Sequence, residues 1–471
     1  MNFHIKLTLF FLFAAAFLLC PYADVLAEGN VYAEQVKLTV TASETNFRSK
    51  KMLDDNENTF SYASKPTELT ITSEQAFKSI YLKFEKNYNW SITLPDGQKI
   101  DAGEEDFIHK YIRLEQAVSS FTLSLPKHGS VTDIYAFTEG QPPEWVQIWQ
   151  PPCDRADLML MPTHADDEYL WFGGTLPYYA GELGYEVQVV YLTNHNNATK
   201  RNHERLNSLW TVGVRHYPVI SNFTDVRETK REMSDASRIF GYEKVMAFQV
   251  EVLRRFRPRV IVAHDYWGEY GHGAHKLNAR TLLKALPLTD NPLKYPESAN
   301  KYGTCKIQKC YLHLWKENQI EVSWSDKILH KFGGKSALEA AAEGLKCNES
   351  QKTGVKMKES GAFDCRIFGL AYTTVGDDTP GRNDFFENVD WSDKKKNETN
   401  NESDSSDDLK PQGTESVSAT DHFSQEKQDF PLGKYFTDFS WIHIVIVVVA
   451  FVLIAALCGL LFKRKKGKSD H

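Results

Sequence analysis

Between residues 30 and about 138 the chain alternates apolar and polar positions in short runs. Residues 36–40, 69–72, 79–84, 90–94 and 120–125 are each rich in β-branched or aromatic side chains. Polar turns such as Pro95-Asp96-Gly97 separate them. Short strands at this spacing predict an all-β sandwich over 28–150. After a Pro- and Trp-containing hinge at 139–152 the pattern changes. Residues 158–161 form a continuous apolar run, as a strand buried on both faces requires. Residues 169–183 read as helix and 186–192 as a second apolar strand. Residues 201–214 place Leu206, Leu209, Trp210 and Val214 near helical spacing. Residues 243–256 predict another helix, and 260–263 another buried strand. Strands alternating with helices give an α/β domain over 153–392, Rossmann-like, with a mostly parallel sheet. Ligand sites in such sheets lie beyond the carboxyl ends of the strands.

The two ends read as targeting segments. Lys6 precedes an apolar run at 7–19, and Val25-Leu26-Ala27 offers a cleavage site, so 1–27 is expected to be a signal peptide. Residues 441–462 are apolar except for His443, long enough to cross a hydrocarbon core of about 30 Å as one transmembrane helix. Lys463, Arg464, Lys465, Lys466 and Lys468 follow, which predicts a basic cytoplasmic tail at 463–471. Residues 393–440 are rich in Lys, Asn, Ser, Asp and Glu, and read as a disordered stalk. The expected location is the cell surface or a secretory-pathway membrane, single-pass, with the catalytic domain on the extracellular or lumenal side.

A net charge of −7 with 25% charged residues argues against nucleic acid as a partner. Of seven cysteines, Cys20 and Cys458 fall in the end segments. The other five (Cys153, Cys305, Cys310, Cys347, Cys365) are an odd number, so at least one is not paired within the chain. Asn89, Asn197, Asn222, Asn397 and Asn401 head Asn-x-Ser/Thr triplets, potential glycan acceptors in a suitable host.

Two clusters carry chemistry. Pro162-Thr163-His164-Ala165-Asp166-Asp167-Glu168 follows the first α/β strand. Crowding an imidazole and three carboxylates into one loop calls for a cationic partner, and nitrogen plus carboxylate ligands suit zinc. The second cluster, 263–275, follows the strand at 260–263. It contains Gly268-Glu269-Tyr270-Gly271-His272-Gly273-Ala274-His275. His272 and His275 stand three apart and share a face at a helix start. Two histidines and a carboxylate, with a fourth position open to water, form a hydrolytic zinc site. Each half alone is usually structural: acidic residues favour helix N-termini. His264 and Asp265 are expected either to orient ligands or to cap the strand.

Together these segments resemble the PIG-L/LmbE-type zinc-dependent de-N-acetylases, whose hallmark is Ala/Thr-His-Pro-Asp-Asp-Glu after the first strand and a later Gly-x-Tyr-Gly-His-x-x-His. "RNHERLNSLWTVGV", "SALEAAAEGLKCNESQ" and "FGLAYTTVGDDTPGRNDFFENV" extend the resemblance over roughly residues 153–390, about half the chain. The resemblance implies His164, Asp167 and His275 as zinc ligands and Asp166 as the general base. It implies His272 as acid or electrostatic partner, Tyr270 as an oxyanion donor and Arg201 as a substrate contact, although Arg201 is equally open to being an exposed helix residue. Two positions depart from the pattern: Ala165 stands where the family has Pro, and Asn348 where many relatives have His. Residues 38–64, with Asp55-Asn56-Glu57-Asn58-Thr59, resemble the opening of discoidin-like, galactose-binding-fold domains, which implies a carbohydrate-binding module. A plain spacer is the alternative.

The expected function is zinc-dependent removal of the N-acetyl group from an N-acetylglucosamine-containing glycan or glycoconjugate. A surface glycan-binding protein with an inactive deacetylase-like domain is the rival. Hydrolysis of a different acyl amide is a third reading.

Overall fold

The computed structural model describes residues 32–101, 107–351 and 356–392. The segments expected to be signal peptide, stalk, transmembrane helix and tail lie outside them. No helix among the described residues is long and apolar enough to cross a membrane.

The N-terminal part is one seven-stranded antiparallel sheet: β1 (Thr39–Ala42), β2 (Ser61–Tyr62), β3 (Thr67–Phe84), β4 (Ser91–Thr93), β5 (Lys99–Asp101), β6 (His109–Leu125) and β7 (Ser130–Phe137). The strand order is β2-β7-β3-β6-β4-β5, with β1 on β3. The strands expected at 69–72 and 79–84 are therefore the two halves of a single 18-residue strand. Register shifts on either side of Phe77 absorb the polar Ser73-Glu74-Gln75 between them. The first half of β3 pairs with β1 and the second with β7, so the sheet changes neighbours along its length instead of splitting into two separate sheets. Strand β7 is not evident from the pattern, because all eight of its residues are buried and the alternation is lost. One of them is Asp133, whose two carboxylate oxygens have no hydrogen-bond partner. Burial pushes its pKa up to about 7.

The second sheet contains β8 (Leu158–Met161), β9 (Val187–Tyr191), β10 (Val219–Ile220), β11 (Val260–Ala263), β12 (Lys309–His313), β13 (Gln319–Glu321) and the late strand Ile367–Thr373. Strands β8 to β12 pair in parallel, and the late strand pairs antiparallel with both β12 and β13. The order is β10-β9-β8-β11-β12 and onward. From β8 the chain winds outward through β9 and β10, then returns to the other side of β8 with β11. The topological switch point is thus between β8 and β11, where α/β sheets open a ligand crevice. Four helices matter below: α1 (Asp167–Leu170), α2 (Thr199–Thr211), α3 (Tyr242–Phe256) and α4 (Gly273–Ala285). The helix expected at 169–183 is instead two short pieces, α1 and a wide turn at Pro177–Glu182. Gly173 breaks it with a φ of +53°, and a Cβ there would overlap the Trp324 ring.

The two sheets belong to one compact unit. Phe107 stacks on Tyr217 at 4.4 Å between ring centres. A buried polar chain crosses from one part to the other. Trp149 Nε1 donates to Gln147 Oε1 (2.9 Å), and that oxygen is also 2.7 Å from His109 Nδ1. The Gln147 oxygen accepts, so His109 carries its proton on Nδ1 and leaves Nε2 bare. His203 Nδ1 on α2 then donates to His109 Nε2 at 2.7 Å. Gln147 Nε2 donates to Asn207 Oδ1, Asn207 Nδ2 to Glu57 Oε2, and Lys83 Nζ to Glu57 Oε1.

Burial holds His203 neutral, lowering its pKa to about 4 against the pull of Glu57 and with the help of Lys83. The unfolded histidine titrates near about 6.5. The unfolded state therefore binds the extra proton first, and stability contributed by this residue is lost as pH falls from about 6.5 toward 4. The melting temperature is expected to drop across that window, and less steeply in His203→Gln. Parallel slopes for the two proteins would contradict the assignment.

Candidate metal centre

The loops after β8 and β11 meet at the switch point. His164 Nδ1 lies 3.1 Å from Asp167 Oδ2 and 3.2 Å from His275 Nε2. His275 Nε2 lies 3.4 Å from Asp167 Oδ2, closing a triangle. Three ligands held about 2.0–2.1 Å from a tetrahedral zinc would stand about 3.3–3.4 Å apart. The protonation pattern fits as well. His275 Nδ1 is 2.7 Å from Glu269 Oε2 and donates to it, so its Nε2 presents a bare lone pair to a carboxylate oxygen. Two facing lone pairs repel, and a cation between them removes the conflict. The field also demands positive charge. Although burial opposes protonation, Asp167 and Asp225 pull His164 up to about 10. His164, Asp167 and His275 are thus the residues that could hold a metal ion.

Asp167 is held on its other side: Trp171 Nε1 donates to its Oδ1 (2.8 Å) and the His164 amide to its Oδ2 (2.7 Å). Glu269, which the sequence pattern passed over as motif filler, is the keystone behind the triangle. It is fully buried and accepts from His264 Nδ1 (2.8 Å), His275 Nδ1 (2.7 Å), His313 Nδ1 (2.9 Å) and the Asp265 amide (3.1 Å). These donors keep its carboxyl well below the usual range despite burial. His264 is not free to ligate, because its Nε2 accepts the Thr163 N–H at 2.9 Å. Through Thr163 and Glu269 it ties the two loops together. Glu269→Gln puts an amide NH2 against histidine N–H groups. It is expected to weaken metal binding on the order of 10–100-fold, measured by chelator competition; unchanged affinity would show that Glu269 does not orient the site.

Asp166 stands beside the triangle with φ 104° and ψ −30°, a region that L-residues rarely occupy. Such strain costs on the order of 1–3 kcal/mol and persists where the surroundings impose it. Burial, then the neighbouring Asp167 charge, pushes its carboxyl well above the usual range, while Arg201 opposes this from 3.9 Å. Arg201 is buried, not exposed, and its guanidinium donates to the Ala165 carbonyl and to Asn348 Oδ1. Asn348 therefore supports Arg201. His272 caps α4, accepting the Ala274 amide on Nδ1 (3.2 Å). As a neutral ring it then carries its proton on Nε2. Gly273 follows because a Cβ there would overlap the Glu232 carbonyl. Tyr270, in a left-handed conformation at φ 45°, is half exposed and packs on Trp171.

These groups line a cavity of about 230 Å³. It holds every residue expected at the site except His275, which lies behind its wall, and adds His195, Asp225 and Lys230. Asp225 Oδ2 is 3.5 Å from His164 Nε2. Nothing in the sequence around Asp225 marks it; it arrives from the connection after β10. At this site two other groupings bring ligand atoms within reach of one ion: His164, His272 and His275, and Asp167, His264 and His275, the latter with His264 Nε2 already taken by the Thr163 N–H. Both overlap the triangle. The cysteines Cys153, Cys305, Cys310, Cys347 and Cys365 form no disulfide.

Residues 158–286 match the family described as "PIG-L: GlcNAc-PI de-N-acetylase". A 1D-myo-inositol 2-acetamido-2-deoxy-alpha-D-glucopyranoside deacetylase 2 of Saccharopolyspora erythraea is 29% identical over 172 residues, 32% of this chain and 63% of that protein. A deacetylase 1 of the same description from Catenulispora acidiphila is 27% identical, over 36% of this chain and 60% of that protein. The match thus spans somewhat under two thirds of the length of these relatives. Among solved structures, an N,N'-diacetylchitobiose deacetylase from Pyrococcus horikoshii aligns with a TM-score of 0.34 and 18% identity, covering 43% of this chain and 74% of that one. The resemblance of the N-terminal part to discoidin-like domains gains no confirmation. The chain carries, at residues 158–286, a domain of the PIG-L de-N-acetylase family.

Proposed function

We propose that this protein hydrolyses the N-acetyl amide of an N-acetylglucosamine-containing glycan or glycoconjugate, using zinc held by His164, Asp167 and His275. The observation that carries the reading is the triangle of those three side chains, with a strained Asp166 beside it. Both named relatives are deacetylases of a 2-acetamido sugar. A cavity of about 230 Å³ lies below the usual ligand-cleft range of about 300–1,000 Å³, which suits one sugar ring with its acetamide and leaves the rest of the substrate outside.

Bound at the triangle, zinc supplies Lewis-acid polarisation of the amide carbonyl and acidifies water. Asp166 takes the proton from the attacking water. The Tyr270 hydroxyl and the His272 Nε2–H donate to the carbonyl oxygen as it gains negative charge. Asp166 then returns the proton to the departing nitrogen, so water and amide become acetate and a free amine. Arg201 steadies Asp166 and the Ala165 carbonyl, and offers a charge to substrate hydroxyls at the cavity wall. Outward display on a single membrane anchor is supported by the sequence pattern at 7–19 and 441–462, and makes a surface glycan the preferred substrate.

Incubation of the protein with N-acetylglucosamine oligomers and N-acetylglucosaminyl-inositol conjugates is expected to yield equal amounts of acetate and new amine. Bound zinc with no acetate from any of them would shift the reading to another acyl amide. Absence of both would favour a binding protein.

A further inference from the structure

We propose that the N-terminal β domain positions the catalytic loop, acting through His203 and its hydrogen-bonded chain to His109. Helix α2 serves two faces. Arg201 and Glu204 turn toward the site, whereas His203 and Asn207, four apart, turn toward the β domain. Arg201 holds the Ala165 carbonyl and lies beside Asp166. Glu204 accepts from the Ser350 amide (2.7 Å) and hydroxyl (2.5 Å), fixing the segment that brings Gln351 to the cavity wall. The roll and height of α2 therefore set where the strained catalytic loop sits.

What fixes α2 on its other face is the β domain. His203 is 1% exposed and donates to His109, itself fully buried on β6. His109 is locked by Gln147, and Asn207 joins Gln147 to Glu57. Donors and acceptors match along the whole chain, and such a network is rigid when satisfied and costly when broken. Glu57, His109 and His203 lie close enough to hold a metal ion. Each already has a closer partner: His109 Nε2 takes the His203 proton, and Glu57 takes Lys83 and Asn207. The residues form a latch, and His203 is a positioning residue that touches neither substrate nor metal ligand.

The test compares His203→Leu, His203→Gln and Gln147→Met with the wild type. Readouts are kcat and KM for acetate release, bound zinc, and hydrogen exchange of residues 163–170 and 199–211. His203→Leu is expected to keep one zinc per chain, exchange faster in both segments, and lose kcat on the order of tenfold to a hundredfold with KM unchanged. His203→Gln, which can still donate to His109, recovers most of the rate. If His203→Leu does not fold, Gln147→Met decides by the same readouts. Unchanged exchange and kcat, or equal damage from Leu and Gln, would overturn the proposal. So would a second zinc that disappears with His203. The kinetic arm rests on the deacetylase reading and the exchange arm does not. A wild type that releases no acetate but shows coupled exchange retires the function and keeps the latch.

Discussion

Asp166→Asn is expected to lower kcat for acetate release on the order of a thousandfold while leaving zinc content and folding intact. An Asn carboxamide fills the same space but cannot take a proton, and general-base catalysis contributes about 10²–10⁴-fold. Asp166 makes none of the triangle contacts, so metal binding has no reason to change. Its backbone amide donates to Glu168 Oε2 at 2.8 Å, which keeps the loop in place in the variant. The strained φ of 104° stays, because the loop imposes it. A rate near wild type, measured at saturating substrate with zinc confirmed in the same sample, would remove Asp166 from the mechanism.

His275→Ala is expected to abolish zinc binding and turnover together. It removes one corner of the triangle and leaves Asp167 Oδ2 and His164 without their third partner. It also takes one of three imidazole donors from the buried Glu269. Leaving the buried Glu269 carboxylate short of a donor costs about 1–3 kcal/mol, so the melting temperature should fall as well. His272→Ala makes the contrast. His272 stands outside the triangle, so its loss should spare the metal and reduce turnover, an effect on the order of 10²-fold for a lost oxyanion donor. Metal analysis separates the two. If His272→Ala loses zinc and His275→Ala keeps it, the ligand set is His164 and His272 with another partner.

Much of this site is legible in the sequence because its two loops are also two motifs. Strands 158–161 and 260–263 coincide with the apolar runs, since a central parallel strand is buried on both faces and needs no alternation. His164, Asp166 and Asp167 lie directly after the first of those strands, and His275 lies in the first turn of α4, beyond the loop that follows the second. Glu269, His313 and Asp225 are not legible as site residues. Glu269 acquires meaning only when strand order brings His264, His275 and His313 around one carboxylate. His313 ends β12, a strand set beside β11 by the sheet and not by proximity in sequence. The joined strand Thr67–Phe84 and the hidden strand Ser130–Phe137 escape pattern reading for a related reason: register shifts and two-sided burial erase the period-two signal. Gly173, Gly174 and Pro177 interrupt the segment 169–183 that reads as one helix, and the Trp324 ring shows why Gly173 must lack a side chain.

The most direct measurement strips the protein with chelator, titrates zinc back, and follows acetate release from an N-acetylglucosamine oligomer against bound metal. The account predicts activity that vanishes with the metal, returns in proportion to it, and levels off at one zinc per chain, with Asp166→Asn binding the same zinc and staying silent. Acetate release indifferent to chelation, or full zinc occupancy without any release, would contradict it.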